Sequence, residues 1–258
     1  SMGMAIQLVK SAKADAIVSA GNTGALMAMS KLILRPMDGI TRPAIAAYFP
    51  TIVGESCMLD LGANIECDEK NLVQFAFMGQ AFANIVMGIK DPSVSLLNIG
   101  EEEQKGLDYI KEASKILYSL DKQINYKGFI EGDKIAQGMA DVIIADGFSG
   151  NIALKSSEGT AKFIGYRFSR FLKQNWRTKL ARLLIGNYLS ELEASLQPDF
   201  YNGALLIGLK GTVIKSHGGS NMLGFKAALN TAIESAQHQL PDRLSSRLEQ
   251  IDLEQLKT

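Results

Sequence analysis

Along this chain, short apolar runs that end in Gly, Asn or Asp alternate with longer segments of helical period, and few folds accept that pattern. A short apolar run closed by turn residues reads as a buried strand, and an i, i+3, i+4 spacing after it reads as the helix that returns along the sheet. Residues 16–19 empty into Gly21-Asn22-Thr23-Gly24-Ala25-Leu26, after which a helix begins. Residues 58–61 end in Gly62-Ala63-Asn64, and Leu72, Phe75, Ala76, Gly79, Phe82, Ala83 and Val86 then keep the spacing of a buried helix face. A strand is expected at 94–99, leaving through Gly100-Glu101-Glu102, with Leu107, Ile110, Ala113, Ile116, Leu117 and Leu120 marking the next helix. Strand ends follow at 129–132 and 142–145, the second feeding Asp146-Gly147-Phe148-Ser149-Gly150-Asn151. Runs at 204–209 and 213–216 precede His217-Gly218-Gly219-Ser220-Asn221, which opens a helix toward Pro241, and a last helix is expected at about 243–256. Repeated βα units of this kind build an open, mostly parallel sheet between two helical layers, a three-layer α/β/α arrangement of Rossmann type.

The 258 residues are read as one α/β domain, 1–258, with no repeat and no low-complexity linker. Lys+Arg and Asp+Glu both total 27, so no global charge selects nucleic acid, and no nucleic-acid partner is expected. Two cysteines, Cys57 and Cys67, make no disulfide framework and fit a reducing compartment. No stretch reaches the roughly 18 uncharged apolar residues of a spanning helix, and the opening residues lack the apolar run of a signal peptide. A cytoplasmic protein is expected.

In open α/β sheets ligands bind where strands deliver their carboxyl ends, so the chemistry belongs in the loops just named. Their glycines let backbone amides approach a ligand, and a helix start adds unpaired N–H groups and a positive dipole end, a combination that suits phosphate. Any one loop is equally explained as a turn with a cap, and capping is the default for Asp60, Asp133 and Asp146. Several such loops together favour a site. The chain has no G-x-x-x-x-G-K-[ST], no G-x-G-x-x-G after its first strand, no G-x-S-x-G, no HExxH and no CxxC. Only His217 and His238 are present, and no metal site is expected. His217, at a strand end before glycines, suits a proton donor or phosphate ligand as well as a structural role, and Lys155 either faces phosphate or stands in solvent.

The loops SAGNTGALMA (19–28), LDLGAN (59–64), NIGEE (98–102), EGD (131–133), ADGFSGNIALK (145–155), GALLIGLKG (203–211) and VIKSHGGSN (213–221) resemble, in order and spacing, the phosphate acyltransferase (PlsX) family of bacterial phospholipid synthesis. The resemblance covers nearly the whole chain. It implies transfer of a long-chain acyl group from acyl carrier protein to inorganic phosphate, giving an acyl phosphate for glycerol-3-phosphate acylation, without metal, nucleotide or other cofactor. It implies a fold similar to the isocitrate/isopropylmalate dehydrogenases and phosphotransacetylases, and a homodimer. Family members carry a further strand-and-helix segment with a Met-Gly-Gly-Asp type motif ahead of the point where this chain starts, so the chain is expected to be shortened at its N-terminus.

With no nucleophile in view, direct attack of bound phosphate on the thioester is the expected mechanism. The residues expected to bind phosphate and substrate are Ser19, Gly21, Asn22, Thr23, Gly24, Asn64, Asp146, Gly147, Ser149, Gly150, Gly218 and Ser220. Asn151, Lys155 and His217 are expected to take part in catalysis: Asn151, together with Asn22, Thr23 and Ser149, holds phosphate and the developing oxyanion, and Lys155 and His217 supply charge or a proton for the departing thiolate. An oxidoreductase on the isopropylmalate-dehydrogenase-like fold and a non-catalytic membrane scaffold are the competing readings; neither an adenine-ribose acid nor an Asp cluster for metal supports the first.

Between Glu158 and Glu191 stand Lys162, Arg167, Arg170, Lys173, Arg177, Lys179 and Arg182 with no acidic residue, interleaved with aromatic and aliphatic side chains. This reads as a protruding, basic amphipathic helical hairpin at about 160–200. It is either packed on a dimer mate, or docks the acidic acyl carrier protein, or attaches the enzyme peripherally to the inner face of the membrane near the downstream glycerol-3-phosphate acyltransferase. Trp176, Arg177, Lys179, Leu180, Arg182 and Leu184 are the contact residues expected.

Overall fold

The apolar runs become strands because β-branched and aliphatic residues fill both faces of a sheet covered by helices. The computed structural model describes residues 1–178, 180, 185, 186, 188 and 202–249. In chain order the elements are α1 (Met2–Lys10), β1 (Ala16–Ser19), α2 (Thr23–Ile33), β2 (Ala44–Thr51), β3 (Gly54–Leu59), α3 (Glu69–Ile85), β4 (Val94–Leu97), α4 (Asp108–Ser119) and β5 (Tyr126–Ile130). A 3-10 turn (Gly132–Gln137), β6 (Val142–Ile144), α5 (Gly147–Leu172), β7 (Ala204–Ile207), β8 (Thr212–Lys215), α6 (Met222–Gln237) and α7 (Leu240–Glu249) follow.

The eight strands form one sheet in the order β1-β8-β7-β2-β3-β6-β4-β5. Its outer parts are parallel: β1 with β8, and β3 with β6, β4 and β5. Its centre is antiparallel, through β7 with β8, β2 with β7 and the β2–β3 hairpin. That antiparallel centre departs from a simple series of βα units. β2 carries Pro50 near its end and has no polar alternation, so it lacks the usual strand signature, yet it is the strand that joins the two parallel parts.

Two apolar clusters lie on the two faces. One holds α3, α4, α6 and α7 on the sheet through Phe75, Phe77, Leu117, Ala228 and Leu244. The other holds α1 and α2 through Ile6 and Leu26, with Ala153 and Leu154 of α5 at its edge. α3 is enclosed nearly all round, and full burial of a side chain such as Phe75 or Phe77 contributes about 2 kcal/mol. A capping box between Asp68 and Asn71 starts it. α5 is the opposite case: over 26 residues only Gly147, Gly150 and Leu172 are buried.

Register sets where the chemistry can gather. Lys215 at the end of β8 lies opposite Ser19 at the end of β1 and opposite Ala204 of β7. Leu205 lies opposite Ala46 of β2, and Ala47 opposite Met58 near the end of β3. The two parallel parts run in opposite directions, but they are staggered along β2. Their carboxyl ends therefore finish within about one residue, ~3.3 Å, of the same level.

Candidate active site

The β3/β6 side of the site is built on two buried carboxylates. Asp60, fully buried just past β3, accepts hydrogen bonds from the backbone N–H of Ile45 (2.9 Å), Ala63 (3.1 Å) and Asn64 (2.7 Å) and from the Asn64 side-chain amide (2.9 Å). Burial pushes its carboxyl up from the usual range, while those four bonds pull it back. Every neighbour donates, so the group serves as an acceptor that shapes the 60–64 loop. Asp146 caps α5, accepting from the N–H of Phe148 (3.0 Å) and Ser149 (2.9 Å), from the Ser149 hydroxyl (2.8 Å) and from the Tyr109 hydroxyl (3.1 Å). Burial, and then the charge of Asp146, raises the Tyr109 phenol, so it stays a neutral donor.

The two loops touch through glycines. Gly147 donates to the Asn64 carbonyl at 2.7 Å, and a Cβ there would stand 2.6 Å from that same oxygen. A Cβ on Gly150 would stand 2.0 Å from the Asp60 carbonyl oxygen. Asn151, exposed, lies against Gly62, where an added Cβ would be 3.5 Å from its side chain. Cys67 packs beside them; burial, then the charge of Asp60, pushes its thiol up to about 12, so no thiolate nucleophile forms.

The β1/β8 side is assembled differently. Ser19 Oγ accepts from Gly21 N–H (3.2 Å), and Asn22 caps α2 by accepting from Ala25 N–H (2.9 Å). Among the described residues nothing takes the N–H groups of Asn22, Thr23 and Gly24. At α5 the corresponding N–H groups of Gly147, Phe148, Ser149 and Gly150 are already taken, by Asn64 and Asp146. Open backbone donors are therefore found at α2, whereas α5 offers side chains, above all Asn151. Across from α2, His217 donates its backbone N–H to Asn202 (2.8 Å), and its Nδ1 accepts from Gly219 N–H (3.1 Å). That bond leaves Nε2 as the protonated nitrogen of the neutral ring. Asn202 also donates to Ser216 Oγ (2.8 Å) and to the Gly224 carbonyl (2.7 Å), Ser220 Oγ reaches Ser216 Oγ (2.9 Å), and a Cβ on Gly218 would face the Ala20 carbonyl at 3.4 Å.

The expected residues thus fall into two groups, Asn64, Asp146, Gly147, Ser149, Gly150 and Asn151 in one, Ser19, Gly21 to Gly24, His217, Gly218 and Ser220 in the other. Asp146 and Ser149 turn out to be occupied with holding α5. Lys155 is paired with Glu158 at 2.8 Å. Three residues were missed. Tyr109 and Asn202 carry no local signal, but Lys215 does: it is a charged residue closing an apolar strand directly before the Ser216–Asn221 loop. In the basic segment Arg177 lies 5.5 Å over the Trp176 ring, and Trp176 and Leu180 are exposed. Lys179, Arg182 and Leu184 lie outside the described residues. Among the described residues no group of His, Cys, Asp and Glu is arranged to hold a metal ion, and no helix is long and apolar enough to cross a membrane.

Comparison with solved structures gives the fold. The chain matches the EutD phosphotransacetylase from Staphylococcus aureus over 92% of its length and 67% of that chain, with a TM-score of 0.57 and 19% identity. A branched-chain phosphotransacylase from Enterococcus faecalis matches over 92% of this chain and 79% of its own, with a TM-score of 0.62 and 14% identity. Comparison of sequences goes further. A phosphate acyltransferase of Rhodospirillum centenum is 48% identical over 248 residues, 96% of this chain and 70% of the relative. One from Alcanivorax borkumensis is 48% identical over 250 residues, 97% of this chain and 74% of the relative. The family model described as fatty acid synthesis protein matches residues 1–243, and with those relatives it shows that this chain belongs to the fatty acid synthesis protein family, as an acyltransferase enzyme.

Proposed function

We propose that the chain transfers a long-chain acyl group from acyl carrier protein to inorganic phosphate, releasing acyl phosphate for phospholipid synthesis. The observation that carries this reading is the row of open N–H groups at Asn22, Thr23 and Gly24, at the positive end of α2. They suit an anion, and Asn151 stands on α5 where the other group of loops converges. A phosphate oxygen attacks the thioester carbonyl carbon, the C–O bond forms, and charge collects on the carbonyl oxygen. Collapse breaks the C–S bond. Hydrogen phosphate gives up its proton and the departing thiolate gains one, so the exchange balances without a cofactor. His217 donates a hydrogen bond from its Nε2–H to the departing sulfur, and the proton given up by hydrogen phosphate neutralises the thiolate.

Asn151 supplies a preorganised donor to the oxyanion. Asn151→Ala is expected to lower kcat about 10²–10³-fold with little change in KM for phosphate, because the donor acts on charge that develops in the transition state. Steady-state kinetics with palmitoyl acyl carrier protein checks this; an unchanged kcat removes Asn151 from the mechanism.

The whole is read as one α/β domain; the hairpin expected at about 160–200 begins in α5, and its second half lies largely outside the described residues. The exposed face of α5, with Phe163, Tyr166 and Phe171, supports a homodimer. Exposed Trp176 with Arg177 stacked on it supports contact of the hairpin with acyl carrier protein and with the inner face of an anionic membrane, beside the enzyme that consumes acyl phosphate. Trp176→Ala with Leu180→Ala is expected to reduce co-sedimentation with phosphatidylglycerol vesicles several-fold and, through the same surface, to raise KM for palmitoyl acyl carrier protein while leaving kcat unchanged. Undiminished sedimentation rules out the membrane contact.

A further inference from the structure

We propose that Lys215 is the cation that holds the acceptor phosphate, beside the open N–H groups at the start of α2. The proposal rests on the phosphate-acceptor reading above and supplies the positive side chain which that reading lacks.

Side chains alternate along a strand, so Lys215 shares a face with Val213, and its register partner Ser19 shares one with Ile17. Val213 and Ile17 belong to the apolar cluster that also takes in Leu26 of α2 and, at its edge, Ala153 and Leu154 of α5. Lys215 therefore emerges at the end of β8 on the face where α2 and α5 both begin. Its ammonium donates to the Ser216 carbonyl, and none of the ion pairs among the described residues includes it. Lys155, by contrast, is matched by Glu158.

Burial, with the charge of Lys155 added, pushes the Lys215 ammonium below the ordinary lysine range. Lys155 keeps its charge paired with Glu158, so among the described residues Lys215 is the cation here without an acidic partner, and an anion bound beside it gains that attraction. Among the described residues, the other charged or titratable groups here are Glu158, turned to Lys155, and His217 in the loop that follows; the first turn of α2 contributes no acid. A phosphate at this place meets the N–H groups of Asn22, Thr23 and Gly24 on one side and Lys215 on the other.

The test is titration of inorganic phosphate into the wild-type chain, Lys215→Met and Lys215→Arg, followed by calorimetry, with phosphate-dependent turnover of palmitoyl acyl carrier protein measured in parallel and melting curves as a folding control. Lys215→Met is expected to raise both Kd and KM for phosphate at least about 10-fold, the loss typical of a hydrogen bond to a charged group, with a smaller effect on kcat. Lys215→Arg restores most of the affinity. The alkaline limb separates binding from mere structure: wild-type affinity falls as pH rises through the lowered lysine pKa, whereas the arginine variant keeps its charge and its affinity to higher pH. Equal phosphate affinity in wild type and Lys215→Met, or an alkaline limb that arginine leaves in place, overturns the role of Lys215 while the phosphate-acceptor reading stands. A wild type that neither binds phosphate nor needs it for turnover overturns both.

Discussion

Asp60→Ala is expected to lower the unfolding free energy by about 4 kcal/mol. The substitution strips the partner from three backbone N–H groups, those of Ile45, Ala63 and Asn64, and takes one of the two partners of the Asn64 side-chain amide. Ile45 is buried where β2 begins, so no water replaces the lost acceptor there. Each stranded buried donor costs about 1–3 kcal/mol, and the two donors nearer the surface recover part of theirs from solvent. Asp60→Asn retains one acceptor oxygen and is expected to lose about half as much. Urea denaturation followed by circular dichroism measures both; a loss below 1 kcal/mol for the alanine variant would mean that the 60–64 loop is held by its packing rather than by this carboxylate. Activity falls with stability, because the same loop carries Asn64 and supports the start of α5.

Gly150→Ala is expected to cost about 3 kcal/mol and to reduce turnover about 10²-fold. Its added methyl would lie 2.0 Å from the Asp60 carbonyl oxygen, a backbone atom that cannot rotate away. Overpacking of this kind is relieved only by moving one element from another. The element that moves is the first turn of α5, which carries Asn151, and a displacement near 1 Å at a positioning group is enough for a loss of that size. Gly147→Ala meets the Asn64 backbone at 2.6 Å and should behave alike. Thermal melts and kcat/KM for the two variants check this. A Gly150→Ala protein with native turnover would show that α5 does not set the geometry of the reacting groups.

Some of this was legible in the residues and some was not, for physical reasons. β1 ends where its apolar run meets Gly21, and α3 was readable because its apolar residues recur with helical period over about four turns. Of the three aspartates read as caps, Asp146 accepts backbone N–H groups at the start of α5, whereas Asp60 holds the 60–64 loop and Asp133 lies inside a 3-10 turn that has no side-chain cap. β2 was hidden because a strand covered on both faces has no alternation to show, and Pro50 reads as a terminator. The antiparallel centre went with it, since pairing direction depends on long-range register. The set of loops at the site was visible, but not the division of labour within it. Hydrogen-bond acceptors decide that division: Asp146 and Asn64 take up the N–H groups that begin α5, whereas no described residue takes those of Asn22, Thr23 and Gly24. Lys215 was passed over because its strand was read for apolar content alone. The basic segment was legible as charge and aromatic content, whereas a partner's surface is a property of two molecules.

The central claim is that phosphate itself is the acyl acceptor. Its most direct test is to incubate the chain with palmitoyl acyl carrier protein and inorganic phosphate and to follow acyl phosphate and free carrier thiol together. One acyl phosphate per thiol released, with release saturating in phosphate and absent without it, is the result expected. Thiol release that ignores phosphate, or an acylated form of the protein that accumulates during turnover, would contradict direct transfer.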